Sequence, residues 1–325
     1  MSTLNIYGND ENLLLMQKMR QNAHIPHACL FYGEQGSGRK TLAEYFAMTV
    51  LCSGKNAPCG MCRNCQKILH GTHPDLIPVE HSGKKQGFSV DTVREICRDA
   101  IVAPNDSDRK IYLFADCDNI GIPAQNTLLK LTEEPPEHVL LLFTAVSKNA
   151  FLKTMLSRMM QIAVKPCTPE DCCTALIKQH DCSPEEAQKA VNSTGGRNIG
   201  LALRWLEDSA MQEMTRNASE LTLAVAQRRQ YEILRILSGY EKDRTQAEVF
   251  LKLLLLQFRD ACTLKYTNDV LTGCDRQSAE LLSEMLTASR AEKLCRAVQS
   301  AYDASQASVS LKLVLSSLGG NLLLN

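Results

Sequence analysis

Apolar positions fall into two regimes along this chain. In the first part they form short unbroken runs, Cys29–Tyr32, Ile111–Phe114 and Val139–Phe143, each the length of one strand. Stretches of helical spacing lie between them, Leu42–Leu51 among them. Such alternation predicts an α/β unit built on a mostly parallel sheet. Later the spacing becomes helical, as at Leu281, Leu282, Met285 and Leu286. All eleven prolines lie at or before Pro184, and after Gly200 only Gly239, Gly273, Gly319 and Gly320 occur. Helix breakers that scarce predict an all-helical C-terminal region. Two helix starts precede it, Thr168-Pro-Glu-Asp171 and Ser183-Pro-Glu-Glu186. Each offers an N-cap hydroxyl, a proline at the first helical position and an acidic group near the positive end of the helix. Three domains are expected: α/β over 1–165, small and helical over 166–208, helical over 209–325. The densest apolar run, Val249–Phe258, exceeds what a small exposed helix needs, so core and assembly surface are both expected there.

Charge narrows the partners. Among 325 residues, 36 Lys+Arg balance 36 Asp+Glu, so any contact with nucleic acid must come from a local patch. Val249–Phe258 is interrupted by Lys252 and is far shorter than the roughly 20 apolar residues of a membrane span. Met1-Ser-Thr-Leu-Asn5 has none of the regions of a signal peptide. A cytoplasmic chain without membrane contact is expected.

Fourteen cysteines are many for such a chain. Ten are scattered and read as small buried hydrophobes. Cys52, Cys59, Cys62 and Cys65 instead give C-x6-C-x2-C-x2-C, with Pro58 and Gly60 shaping the turn. Tetrahedral zinc needs four soft ligands at about 2.3 Å, and x2 spacings present neighbouring thiolates to one ion. An iron–sulfur cluster would also accept four thiolates. With all four places filled by protein, the metal is expected to be a structural staple. His70 and His73, nearby, read as surface or turn residues.

Gly33-Glu-Gln-Gly36-Ser-Gly38-Arg39-Lys40-Thr41 follows one strand run and precedes a helical stretch. This is the context of a phosphate-binding loop, whose backbone N–H groups and helix N-terminus hold phosphate. The motif asks for G-x4-G-K-[S/T]. Counted from Gly33, Arg39 stands in the lysine's place, where it is expected to hold phosphate charge. Lys40 stands where a hydroxyl would bind magnesium. Sliding by one restores Lys40-Thr41 but lengthens the loop. After the second run, Ala115-Asp116 stands where two carboxylates are expected. Nucleotide binding (ATP or ADP) is left open by these letters, and efficient hydrolysis is disfavoured.

His27-Ala-Cys-Leu-Phe-Tyr-Gly33, the cysteine insert, Asn126-Thr-Leu-Leu-Lys-Leu-Thr-Glu-Glu-Pro-Pro136, Thr144 and Leu156-Ser-Arg158 occur in that order. The set resembles the bacterial clamp-loader AAA+ family, densely over about residues 5–210 and in architecture alone beyond. Within it the delta-prime group is more similar than the ATP-hydrolysing tau/gamma group. The resemblance implies an AAA+ P-loop-type parallel-sheet domain with a zinc module, a small helical lid and a helical collar. It implies zinc on the four cysteines and a sensor-like place for Thr144. Ser157-Arg158 matches the first two letters of a Ser-Arg-Cys motif whose arginine reaches a neighbouring subunit's ATP site; Met159 replaces the cysteine. Within Gly195-Gly-Arg-Asn-Ile-Gly200, the place of a second sensor arginine falls on Gly200, with Arg197 near it. The implied role is a stator without hydrolysis of its own. It would act with tau/gamma and delta subunits to load a sliding clamp on primed DNA.

Other readings remain. A self-sufficient tau/gamma-like ATPase would need the lysine, hydroxyl and acidic pair in the normal register. A zinc-dependent DNA-binding regulator would need a basic recognition helix. Arg158 also reads as a solvated charge, Glu133-Glu134-Pro135-Pro136 as a helix end, His138 as exposed, and Lys84-Lys85 between Gly83 and Gly87 as a mobile loop.

Overall fold

A computed structural model describes residues 4–82, 87–267, 271–307 and 309–323, so Lys84-Lys85 lie outside the described residues. The chain divides into two compact units, Met1–Cys167 and Thr168–Asn325.

The first unit runs α1 (Asp10–Gln21), β1 (Ala28–Tyr32), α2 (Arg39–Leu51), α3 (Arg63–Leu69), β2 (Leu76–Val79), α4 (Val90–Asp99) and β3 (Lys110–Phe114). It continues with α5 (Ile122–Glu133), β4 (Val139–Ala145), α6 (Lys153–Leu156) and β5 (Met160–Ala163). The five strands form one sheet in the order β2-β3-β4-β1-β5, and every pairing is parallel. Strand side chains alternate between faces. Leu30, Tyr112, Phe114, Leu141 and Phe143 therefore pack with Val93 of α4 and Leu128 of α5. Cys29, Phe31, Ile111, Leu113, Leu140 and Leu142 pack on the other face with Met16 of α1, Phe46 of α2 and Ile68 of α3. Burial on both faces is why β1, β3 and β4 read as unbroken apolar runs. The two edge strands escaped that signal. Leu76-Ile-Pro-Val79 carries a proline, tolerated because β2 is an edge. Met160-Gln-Ile-Ala163 buries only one of its four residues.

A buried carboxylate ties the β3 entry loop to the sheet. Asp75, fully buried, accepts hydrogen bonds from the backbone N–H groups of Asn105 (2.6 Å), Asp106 (2.8 Å) and Ser107 (3.0 Å), and from the Ser107 hydroxyl (2.8 Å). Burial alone would raise its pKa. The donors, those of Asn105 and Asp106 foremost, outweigh burial and hold the group below the usual carboxylate range. A depressed folded-state pKa stabilises at neutral pH and loses that contribution as pH falls through it. Asp75→Asn should therefore cost about 2–3 kcal/mol at pH 7. Chemical denaturation should show the gap between variant and parent closing below about pH 4. A gap independent of pH would place the cost elsewhere.

The second unit contains α7 (Pro169–His180), α8 (Pro184–Thr194), α9 (Ile199–Glu207), α10 (Ser209–Ala226), α11 (Gln230–Ser238), α12 (Arg244–Thr263), α13 (Arg276–Met285), α14 (Ala288–Gln306) and α15 (Leu311–Leu323). No strand occurs among its described residues. Both expected helix starts form: Thr168 caps α7, and Ser183 with Glu186 closes a reciprocal capping box on α8. The boundary expected at 208/209 falls inside this unit. Asp208 ends α9 and caps α10, and the Trp205 indole N–H donates to Thr215 Oγ1 at 3.0 Å. α12 is the central helix, packed on α10, α13 and α14. Phe250, Leu251, Leu254 and Phe258 are fully buried, and no residue of Val249–Phe258 is exposed. Core packing accounts for most of its apolar density, with Val249, Lys252, Leu255 and Leu256 half-buried. Met285, one of the apolar residues at helical spacing in this region, is exposed. No described helix is long and apolar enough to cross a membrane.

Candidate functional site

The phosphate-loop sequence sits where the topology of a parallel sheet places ligands, at the carboxyl end of β1 beside β4. Gly36 and Gly38 take positive φ of 82° and 84°, which side chains with a Cβ rarely adopt. Gly38 is the N-cap of α2, so Arg39 is the first helical residue. The unshifted register is therefore the real one. Arg39 turns to the end of β3: its Nη2 donates to Asp116 Oδ1 at 2.9 Å, and Nη1 lies 3.7 Å from Asp118 Oδ2. Lys40 points away, exposed, toward Glu44 at 3.9 Å. Serving the shifted register, Lys40-Thr41, would need the Lys40 side chain to leave Glu44 and turn back to the loop.

Asp116 reaches Arg39 from a left-handed backbone (φ 48°, ψ 58°), a conformation aspartate tolerates better than most residues. Thr144, buried near the end of β4, accepts the Asp116 N–H at 2.8 Å, and Asp118 accepts the Val146 N–H at 2.7 Å. The sensor-like threonine therefore fixes the turn that carries the acidic groups. Arg39 was expected to hold phosphate charge; its carboxylate contacts correct that reading in part. Ser37 Oγ is buried without a hydrogen-bond partner and is left for an anion; Arg39 Nη1 also makes no hydrogen bond but already faces Asp118 at 3.7 Å. Both carboxylates at the end of β3, Asp116 and Asp118, face the Arg39 guanidinium, at 2.9 and 3.7 Å.

Arg158 lies at the other end of the sheet. It follows α6, and β5 starts with Met160 paired to Cys29 at the start of β1. Gly33 begins beyond the far end of β1, on the order of 15 Å away along the strand. Arg158 therefore cannot serve its own loop. Its side chain is partly exposed; Nη1 donates to the Thr154 carbonyl at 2.7 Å and Nη2 pairs with Glu133 Oε1 at 2.8 Å. Met159, in the motif's cysteine place, is buried in the adjoining core. Arg197 and Gly200 belong to the second unit, Gly200 within α9.

The four cysteines converge. Cys52 ends α2, Cys62 caps α3, Cys65 lies in its first turn, and all four sulfurs lie within 4.8 Å of one another. Cys59 and Cys65 sulfurs are 4.0 Å apart, those of Cys52 and Cys62 3.9 Å. Tetrahedral ligation at about 2.3 Å requires sulfurs about 3.8 Å apart. A cluster of several irons would set them wider, so a single ion fits this donor set. Backbone N–H groups aim at the sulfurs: Gly54 and Cys59 at Cys52, Cys62 at Cys59, and Cys65 at Cys62. At Cys59 the N–H groups of Met61 and Cys62 lower the thiol pKa. At Cys62 burial opposes ionisation, but the Cys65 N–H and bonds from Ser53 bring it to about 6. Burial raises Cys52 and Cys65, the two deepest ligands. A Cβ on Gly54 would press against Cys59 Sγ at 3.2 Å, so glycine there leaves room for the thiolate cradle. Helix α2 spans about 20 Å between loop and cysteines, which separates the metal position from the phosphate loop.

Neither nearby histidine joins this cluster. His70 is exposed as read, whereas His73 is buried in its turn, accepting the Asp75 N–H on Nδ1. His138 is half-buried, with Nε2 at 3.0 Å from the Ala100 carbonyl, rather than exposed. Sequence reasoning missed Asp118 and Glu133 as partners of the two arginines. The only available signal was position, since both are acidic residues just beyond an apolar run or helix.

Residues 8–168 match the family described as "DNA polymerase III, delta subunit". The chain is 27% identical over 261 residues to "DNA polymerase III subunit delta'" of Bacillus subtilis (strain 168), covering 78% of this chain and 77% of that protein. It is 33% identical over 151 residues to the protein of the same name in Pseudomonas aeruginosa, 46% of each chain. To "DNA polymerase III subunit tau" of Escherichia coli (strain K12) it is 32% identical over 162 residues, 49% of this chain but 25% of that protein.

Proposed function

We propose that this chain, which belongs to the bacterial clamp-loader AAA+ family, is the delta-prime-like stator of a clamp loader. In this reading it hydrolyses no ATP and lends Arg158 to a neighbouring subunit's nucleotide. The observation that carries the reading is the Arg39–Asp116 pair. Phosphoryl transfer needs magnesium held against the β- and γ-phosphates by a hydroxyl and a carboxylate. Here the hydroxyl's place is Lys40, Ala115 supplies no carboxylate, and Asp116 is committed to a guanidinium. Binding of ATP or ADP through Gly33, Gly36, Gly38 and the free hydroxyl of Ser37, with Arg39 turning in part from Asp118, is compatible with this role.

The remaining parts follow the same reading. The four cysteines hold a structural zinc, Thr144 fixes the β3 turn, α7–α9 act as a lid and α10–α15 as a collar. Partners are tau/gamma and delta subunits, with the sliding clamp and primed DNA reached through the complex in the cytoplasm.

Isolated chain should show no ATPase above background, while the reconstituted complex turns ATP over. Turnover by the isolated chain that vanishes in Lys40→Ala would overturn this, because an exposed lysine paired to Glu44 has no part in the mechanism described.

A further inference from the structure

We propose that Glu133 is a positioning residue for Arg158, holding its guanidinium in the orientation from which it meets the neighbouring nucleotide. The inference rests on the trans role proposed for Arg158. Two anchors from different elements fix the guanidinium plane: the Thr154 carbonyl of α6 holds Nη1, and Glu133 at the end of α5 holds Nη2 at 2.8 Å. Without the second anchor, an arginine on its flexible stem would sample many directions at a surface.

Helix energetics do not account for a carboxylate at this place. Glu133 is the last residue of α5, where the helix dipole is negative and an acidic side chain is unfavourable. Pro135 and Pro136 prevent α5 from continuing, so Glu133 stays at that end, opposite Arg158. Nor does stability account for it. The two side chains are 35% and 47% exposed, and ion pairs that open contribute little to folding. The same weakness lets go of the arginine when a multiply charged phosphate competes for it. The pair thus preorganises the guanidinium before assembly, at a contact that the nucleotide can replace.

The test uses reconstituted complex containing the full-length chain as parent, Glu133→Ala, Glu133→Gln, Arg158→Ala or the double variant. Glu133→Ala should lower the single-turnover rate of ATP hydrolysis at the neighbouring subunit's site by roughly three- to tenfold with nucleotide affinity unchanged. Its melting temperature and incorporation should match the parent. Glu133→Gln keeps an acceptor oxygen and should recover most of the rate. Added to Arg158→Ala, Glu133→Ala should change nothing further, as expected of two residues acting as one unit. If Arg158→Ala slows the complex but Glu133→Ala does not, or if the two effects add, the positioning role is wrong and the trans role stands. If neither variant slows it, the trans role fails and this proposal with it.

Discussion

Arg158→Ala should slow ATP hydrolysis at the neighbouring subunit's site by roughly 10³-fold or more, while folding, metal content and assembly stay intact. The charge is always present, because guanidinium does not deprotonate in proteins, and its planar fork matches phosphate oxygens two at a time. Position excludes a role in cis: Arg158 stands at the amino end of the sheet and the phosphate loop at the carboxyl end. Removing it costs little locally, since its pair with Glu133 is exposed. Arg158→Lys should restore little, because a point charge cannot reproduce two parallel hydrogen bonds. Total steady-state ATPase of the complex should fall only by the share of that one site. A single-turnover assay of the complex separates that site from the rest. Unchanged turnover and clamp loading, in a complex shown to contain the variant, would leave the chain a scaffold.

Cys62→Ser, or chelation, should remove one zinc per chain and destabilise the first unit by about 4 kcal/mol or more. The effect should reach beyond a surface loop, because Cys52 and Cys65 are buried in the same core as Leu51 and Ile68. At that cost the melting temperature of the unit should drop by about 8–16 °C. Hydrogen exchange should rise first over residues 52–69, where the cluster meets α3, and not in the second unit. Arg20, whose guanidinium donates to the Cys52 carbonyl at 2.8 Å, should protect part of the module's attachment. Elemental analysis decides the ion: iron in place of zinc, or well under one equivalent of metal, would remove the assignment.

Much of this was legible in the residues, for identifiable reasons. β1, β3 and β4 are buried on both faces and so announce themselves as apolar runs, while edge strands interrupted by Pro78 or half-exposed do not. Helix starts at Thr168 and Ser183 were legible because capping is a contact between neighbours in sequence. The cysteine cluster was legible for the same reason. Its four ligands lie within one short segment, whereas the partners of the two arginines are remote. Arg39, at the start of α2, meets Asp116, beyond the end of β3, and Arg158, in the turn after α6, meets Glu133 at the end of α5. Spacing within a segment cannot report such pairings. Val249–Phe258 shows the converse limit, since an apolar helix reads alike whether it faces its own core or a partner.

Service of a nucleotide in trans by a chain whose own loop is closed to magnesium has a geometric signature. The most direct measurement is a structure of the assembled complex holding magnesium and a mimic of the transferring γ-phosphate. Arg158 should lie about 3 Å from the mimic in the neighbouring subunit's site. On this chain, Arg39 should remain paired with Asp116 and no magnesium should sit at the loop. Magnesium and nucleotide on this chain's own loop, with Arg39 displaced from Asp116 and Arg158 remote from any phosphate, would contradict it.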